Sequence, residues 1–180
     1  VNNMEFKSLL GAMQLNSIDV IAAAMTVTEE RQQSVDFTDS YYEAKQVIIV
    51  NKDNNVASFS DLDGKSIGVQ EGTTGDLFVT PEEEGALVKD ANVKRFKKGV
   101  DAVMDLKNGG VDAVVIDKNP ATEFVSGNDD LKIVEDDAAT ENYAFAVAKG
   151  NTELADAINK AVEELKADGT YDSLVKEYIN

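Results

Sequence analysis

The sequence predicts an α/β fold, and three observations carry that expectation. Short β-prone runs recur at residues 18–24, 47–50, 66–70 and 111–116, each stopped abruptly by polar residues. Between them lie apolar stripes at helical spacing: Phe6, Leu9, Leu10 and Met13, then Val100, Val103 and Met104, then Leu154, Ile158, Ala161, Val162 and Leu165. Polar and charged groups follow directly on the two most apolar runs, and open α/β sheets place their ligands beyond the carboxyl ends of strands.

The first helix ends at Asn16-Ser17 and hands over to the run 18–24, which has no proline or glycine and reads as a strand buried on both faces. Two threonines, Thr26 and Thr28, and the charged trio Glu29-Glu30-Arg31 come next, before a short strand Val35-Asp36-Phe37. An arginine beside two glutamates is ordinarily a solvated helix face, so position alone makes no site of it. Residues 47–50 form a short strand, and Ser60-Asp61-Leu62-Asp63-Gly64 reads as one helical turn closed by glycine. The strand at 66–70 then leads into Glu71-Gly72-Thr73-Thr74-Gly75-Asp76, which opens a helix. Hydroxyls and backbone N–H groups at such a junction favour a carboxylate, and they serve equally well as ordinary caps. The Gly-Lys-Ser/Thr ending of a P-loop is missing, which leaves nucleotide binding without support.

Residues 80–85 are an acidic solvated turn, and Val93-Lys94-Arg95-Phe96 reads as an edge strand. Val100, Val103 and Met104 are expected in the core of a helix that ends at Asn108-Gly109-Gly110. The apolar strand 111–116 is followed by Asp117-Lys118-Asn119-Pro120 and a helix through Val125; Asp117 there has the ordinary reading of an N-cap. Strands at 131–134 and 143–148 flank a polar stretch, and an amphipathic helix runs on to Gly169.

Composition removes whole classes of chemistry. The 180 residues contain no cysteine and no histidine, which excludes thiol catalysis, disulfides, Ser-His-Asp triads and most zinc sites. With 34 acidic against 17 basic residues the net charge is −17, a surface that repels phosphate backbones and anionic lipid. The cluster Lys94, Arg95, Lys97 and Lys98 is too small against it to argue for nucleic acid. No apolar run approaches the roughly 20 residues of a membrane span. Neither a cofactor nor a metal is called for.

Ala23-Ala24-Met25-Thr26-Val27-Thr28-Glu29-Glu30-Arg31, followed by Val35-Asp36-Phe37-Thr38-Asp39-Ser40-Tyr41-Tyr42, resembles the A-G-M-T-x-T-x-E-R and V-D-F-S-x-x-Y-Y motifs of the family 3 extracellular solute-binding proteins of amino-acid ABC transporters. Ala24 stands where that family commonly carries glycine. Gly72-Thr73-Thr74-Gly75 resembles the family's carboxylate loop, and Asp112-Ala113-Val114-Val115-Ile116-Asp117 its D-A-V-x-x-D motif. The resemblance covers essentially the whole chain, with the motifs in the expected order. It implies a two-lobe, periplasmic-binding-protein-like type II fold with mixed, mainly parallel sheets. Residues 1–43 with 143–180 would form the first lobe, 47–139 the second, and hinge strands would lie near 43–47 and 139–143.

The site implied by the resemblance comprises Phe6, Ala24, Thr26, Arg31, Gln70, Thr73, Thr74 and Asp117. Arg31 would fork onto the ligand carboxylate with help from Thr26 and Thr74, Asp117 would take the α-ammonium, and Phe6 would pack on the side chain, although its spacing alone reads as core. Gln70 and Ile116 match specificity positions, and both are uncharged, favouring a polar neutral amino acid such as glutamine. The expected partners are a free amino acid and the membrane permease of an ABC importer, outside the cytoplasm. Family members open with a strand, helix and strand ahead of the segment that starts here at Asn2. Beginning at Val1, the chain therefore reads as a truncated or processed product whose smaller first lobe is expected to leave a sheet edge open to homodimer pairing. Two alternatives share the fold: a sensor module, and a cyclohexadienyl-dehydratase-like enzyme.

Overall fold

In the computed structural model, which describes residues 1–179, the chain divides into two compact units. One comprises Val1–Lys7 with Ala44–Glu141, the other Ser8–Glu43 with Asn142–Asn180. Residues 1–7, expected with the lobe that follows them, cluster instead with 44–141. An ion pair from Lys7 to Glu71 and another from Lys97 to Glu5 (2.7 Å) tie them there.

A 3-10 turn at Phe6–Ser8 leads into α1 (Leu9–Gln14), β1 (Val20–Thr26), α2 (Glu29–Ser34), β2 (Val35–Phe37), β3 (Tyr42–Asn51) and β4 (Lys65–Gln70). Then come α3 (Thr74–Val79), β5 (Ala91–Phe96), α4 (Gly99–Lys107), β6 (Ala113–Asp117) and α5 (Lys118–Ser126). The long β7 (Leu131–Ala148) and the helices α6 (Thr152–Ala167) and α7 (Thr170–Tyr178) close the order.

In the 44–141 unit the strand order is β7-β3-β6-β4-β5, with β4 parallel to both β5 and β6 and β3 antiparallel to β6. Alternate residues of β3 enter two separate cores. Ile48 and Val50 pack with Phe59, Leu62, Val69 and Val79, while Val47 and Ile49 pack with Ala102, Val103, Leu106 and Ile116. Both faces of the strand are dry, which is why its sequence is a continuous apolar run instead of an alternating one. Each such fully buried side chain contributes about 1.5–3 kcal/mol.

In the other unit β1 and β2 each pair antiparallel with the end of β7, as Val20 with Val147 and Val35 with Ala148. Tyr41 stacks on Phe145 with ring centroids 4.6 Å apart, and the Tyr171 hydroxyl donates to the Tyr41 carbonyl. Burial pushes the Tyr41 phenol above its usual range.

Three sequence expectations change here. The run at 18–24 is not buried on both faces: β1 starts at Val20 and ends the strand order, and Ile21 and Met25 are buried while Ala22 and Ala24 are exposed. Alanine fits either environment, so an alanine-rich run does not report which face is covered. In α4 the buried side is Ala102, Val103 and Leu106; Val100 and Met104, expected in the core, are 42% and 58% exposed. At 100° per residue these two project more than a quarter turn from the buried side. Finally, 131–148 is one strand. Ala139, Glu141 and Tyr143 are buried between exposed Thr140 and Asn142, a period-2 pattern across the second half of the polar stretch.

Between Ile21 and Met25 the β1–β7 register slips, because these residues, four apart on β1, pair with Ala146 and Ala144, only two apart on β7. Ala24 sits in that bulge with φ of +50°. A left-handed backbone costs an L-residue about 1–2 kcal/mol, partly offset in a glycine variant by the greater entropy of its unfolded chain. Ala24→Gly is therefore expected to stabilise the protein by roughly 0.5–1 kcal/mol, read as a higher urea midpoint at unchanged slope. A lower midpoint would show that the methyl group packs usefully.

Candidate functional site

The polar groups of the two units are built by different local devices. At the end of β1, Thr28 is extended (φ −130°, ψ 154°) and its Oγ1 accepts from the Arg31 backbone N–H at 3.2 Å, capping α2. That cap starts a helix whose third residue turns back on the strand, and the Arg31 guanidinium donates through Nη1 to the Thr26 carbonyl at 2.7 Å. Arg31 is only 5% exposed and Thr26 7%. The arginine is thus no solvated helix face. A planar cation held by a backbone carbonyl is presented with fixed orientation, the prerequisite for bidentate binding of a carboxylate. Ala24, in the same unit, lies two residues before Thr26 on the exposed side of the bulge.

In the 44–141 unit the threonines of the loop after β4 part company. Thr73 is an N-cap in full: its hydroxyl donates to the Gln70 carbonyl at 2.8 Å and accepts from the Asp76 N–H at 3.4 Å. Thr74 instead turns inward, and its hydroxyl donates to Glu141 Oε2 at 2.5 Å. Gln70 ends β4 and donates to the Lys97 carbonyl. Phe6 is half-buried in the 3-10 turn, next to Lys7, whose backbone lies close against Gly72.

Asp117 occupies the N-cap position of α5 but makes no side-chain capping bond. Its Oδ1 accepts from Gln46 Nε2 at 2.6 Å. The same nitrogen reaches Glu141 Oε1 at 2.7 Å and Thr74 Oγ1 at 3.2 Å. One buried amide thereby joins three strands and a helix start.

The sequence reading gave Gln46, Gly75, Asp76, Arg95 and Glu141 no place among the site residues. A signal existed for Gln46, a polar residue set directly before the apolar run of β3. Gly75 is small for a packing reason: a Cβ there would lie 2.8 Å from Gln46 Oε1 and 3.2 Å from the Val115 carbonyl oxygen. Asp76, 6% exposed, takes Arg95 Nε on both carboxylate oxygens (2.9 and 3.0 Å) and the Gly72 N–H at 3.0 Å, anchoring the loop to β5. Among the described residues no cluster of histidine, cysteine or acidic side chains could hold a metal ion, and no helix is long and apolar enough to cross a membrane.

Solved structures similar to this chain include substrate-binding and arginine-binding proteins. The chain superposes with a TM-score of 0.89 and 37% identity on the substrate binding protein of an amino acid ABC transporter, covering 98% of this chain and 78% of that one. An ancestral arginine-binding protein is similar in its arginine-bound structure (TM-score 0.90, 42% identity, 99% and 79% covered) and in its glutamine-bound one (0.88, 43%, 98% and 78%). A probable histidine-binding protein of Campylobacter jejuni is 38% identical over 96% of this chain and 66% of its own length. The chain thus spans about two thirds of that curated relative. The model of the bacterial extracellular solute-binding proteins, family 3, matches residues 1–180, and the chain belongs to that family. Its relatives are solute-binding proteins and not enzymes.

Gly75→Ala is expected to destabilise the protein by about 1–3 kcal/mol through overpacking against Gln46 and the Val115 carbonyl. Urea denaturation checks it, and an unchanged midpoint would mean that the Gln46 amide has room to move aside.

Proposed function

We propose that this chain binds a polar amino acid outside the cytoplasm and delivers it to the permease of an ABC importer. The observation that carries the reading is Asp117, a carboxylate at the carboxyl end of β6 that occupies a cap position without capping and is held instead by a buried amide. Such a group is oriented for a cation from outside its own helix. In this reading Asp117 takes the ligand's α-ammonium, and Arg31, oriented by Thr26, takes the α-carboxylate. Closure of the two lobes on the ligand, with hinges at 43–47 and 139–143, is the matching mechanism. Phe6 and Ala24 would line the ligand, Thr74 would support the carboxylate end, and Thr73 would act by setting the first turn of α3.

Glutamine is favoured by the uncharged specificity positions Gln70 and Ile116. The relatives named for arginine and histidine keep the ligand class at polar amino acids, of which glutamine is the neutral candidate. Pairing of two copies rests on chain length alone and forms no part of the reading.

A thermal-shift screen against the twenty amino acids names the ligand, since a molecule that binds only the folded state raises the melting point. With that ligand, Arg31→Ala or Asp117→Ala is expected to cost about 2–5 kcal/mol of binding free energy by titration calorimetry, because each leaves a desolvated charge without its partner. Affinity within threefold of the parent in either variant would remove that residue from the site.

A further inference from the structure

The Gln46 amide is buried with three contacts on its nitrogen, and neither family motif nor ligand assignment accounts for it. Its nitrogen lies within hydrogen-bond distance of Asp117, Glu141 and Thr74, while its oxygen is buried with no hydrogen-bond partner among the described residues. The orientation is electrostatically forced. Turned over, the amide would set its oxygen 2.6–2.7 Å from two carboxylate oxygens, against which it has no proton to offer. An NH₂ group has two hydrogens, and the two shorter contacts are both to carboxylates. The geometry therefore spends both protons on Asp117 and Glu141, with Thr74 bound to the cluster through its own hydroxyl proton on Glu141 Oε2. The cost is an orphaned acceptor facing Gly75, a position kept free of a side chain. A buried acceptor left without a partner costs about 1–3 kcal/mol, so the cluster retains this arrangement against a real penalty.

We propose that Gln46 and Glu141 are positioning residues for ligand binding: the amide bridges two carboxylates that would otherwise repel each other, and in doing so fixes Asp117 as an ionised, oriented acceptor for a cation. Glu141 completes the device by holding the Thr74 hydroxyl. The inference rests on the amino-acid-binding reading for its functional consequence, though not for the bridge itself. Lys118 on α5 pairs with Glu135 and Lys45 on β3 with Asp137, both 2.7 Å, and Arg95 on β5 pairs with Asp76 on α3. The Gln46 bridge itself is a neutral donor, which lowers the repulsion between the two carboxylates without adding a cation of its own.

The test uses two variants that push in opposite directions. Gln46→Met removes the donor and leaves two carboxylates in one dry space, so the carboxyl titration midpoint of Asp117, followed by carbon-13 NMR in the ligand-free protein, should rise. Glu141→Gln removes the like charge and keeps the shape, so the same midpoint should fall. In calorimetry at neutral pH, Gln46→Met should weaken the amino acid that shifts the parent most by at least about tenfold, with the loss deepening toward pH 5 as Asp117 takes up a proton. Midpoints that do not move overturn the bridge, whatever binds. A moved midpoint with affinity and pH profile within threefold of the parent overturns the positioning role. A parent that responds to no amino acid counts against the binding reading alone, and the ligand-free midpoints still decide the bridge. Should Gln46→Met fail to fold, the Glu141→Gln midpoint carries the decision.

Discussion

Burial of β3 and β6 on both faces is the constraint from which the rest of the 44–141 unit follows. Two cores, one on each side of the sheet, leave no water at the strand surfaces. Any polar side chain near these strands must then find its partners inside the protein. Gln46 enters β3 one residue ahead of the dry run Val47, Ile48, Ile49 and Val50, and β6 delivers Asp117 directly opposite it in the ladder. The polar cluster is a consequence of strand register. Shifting β3 by one residue would turn Gln46 to the other face and leave the carboxylates without their donor.

The second unit solves a different problem with shorter means. Its buried cation has no dry sheet on both sides, only an edge strand with a bulge and a six-residue helix. Orientation comes from neighbours in sequence: Thr28 starts the helix, and the Thr26 carbonyl holds the guanidinium. The motif Thr26-Val27-Thr28-Glu29-Glu30-Arg31 therefore has a local physical meaning. One threonine contributes its hydroxyl to the cap and the other its backbone oxygen to the arginine, and a spacing changed by one residue would lose both.

The loop after β4 shows how adjacent, identical residues are divided by their surroundings. Thr73 and Thr74 offer the same hydroxyl. Thr73 lies at the helix boundary and is used up by capping, while Thr74, one residue inside, points to the Gln46 and Glu141 cluster. The loop itself is pinned by Asp76, whose carboxylate holds both the Gly72 N–H and Arg95. Removing one partner of such a half-buried pair leaves the other charge uncompensated, which makes the ion pair a condition for the loop's shape more than a source of stability.

What the sequence by itself determined was whatever depends on local period and local caps. Strands at 47–50, 66–70 and 111–116, the helices between them and the glycine-opened start of α3 were all legible, because each is fixed by residues within a few positions of one another. Burial of the alanine-rich β1 was not, since alanine is indifferent to the face it occupies, and the continuity of β7 hid behind polar residues that alternate in burial without alternating in hydrophobicity. Only the tertiary structure decided the partners of Gln46. Residues 46, 74, 117 and 141 come from four separate elements, and no period or spacing in one chain reports which side chains a sheet register and two cores will bring within 3.2 Å of a single nitrogen.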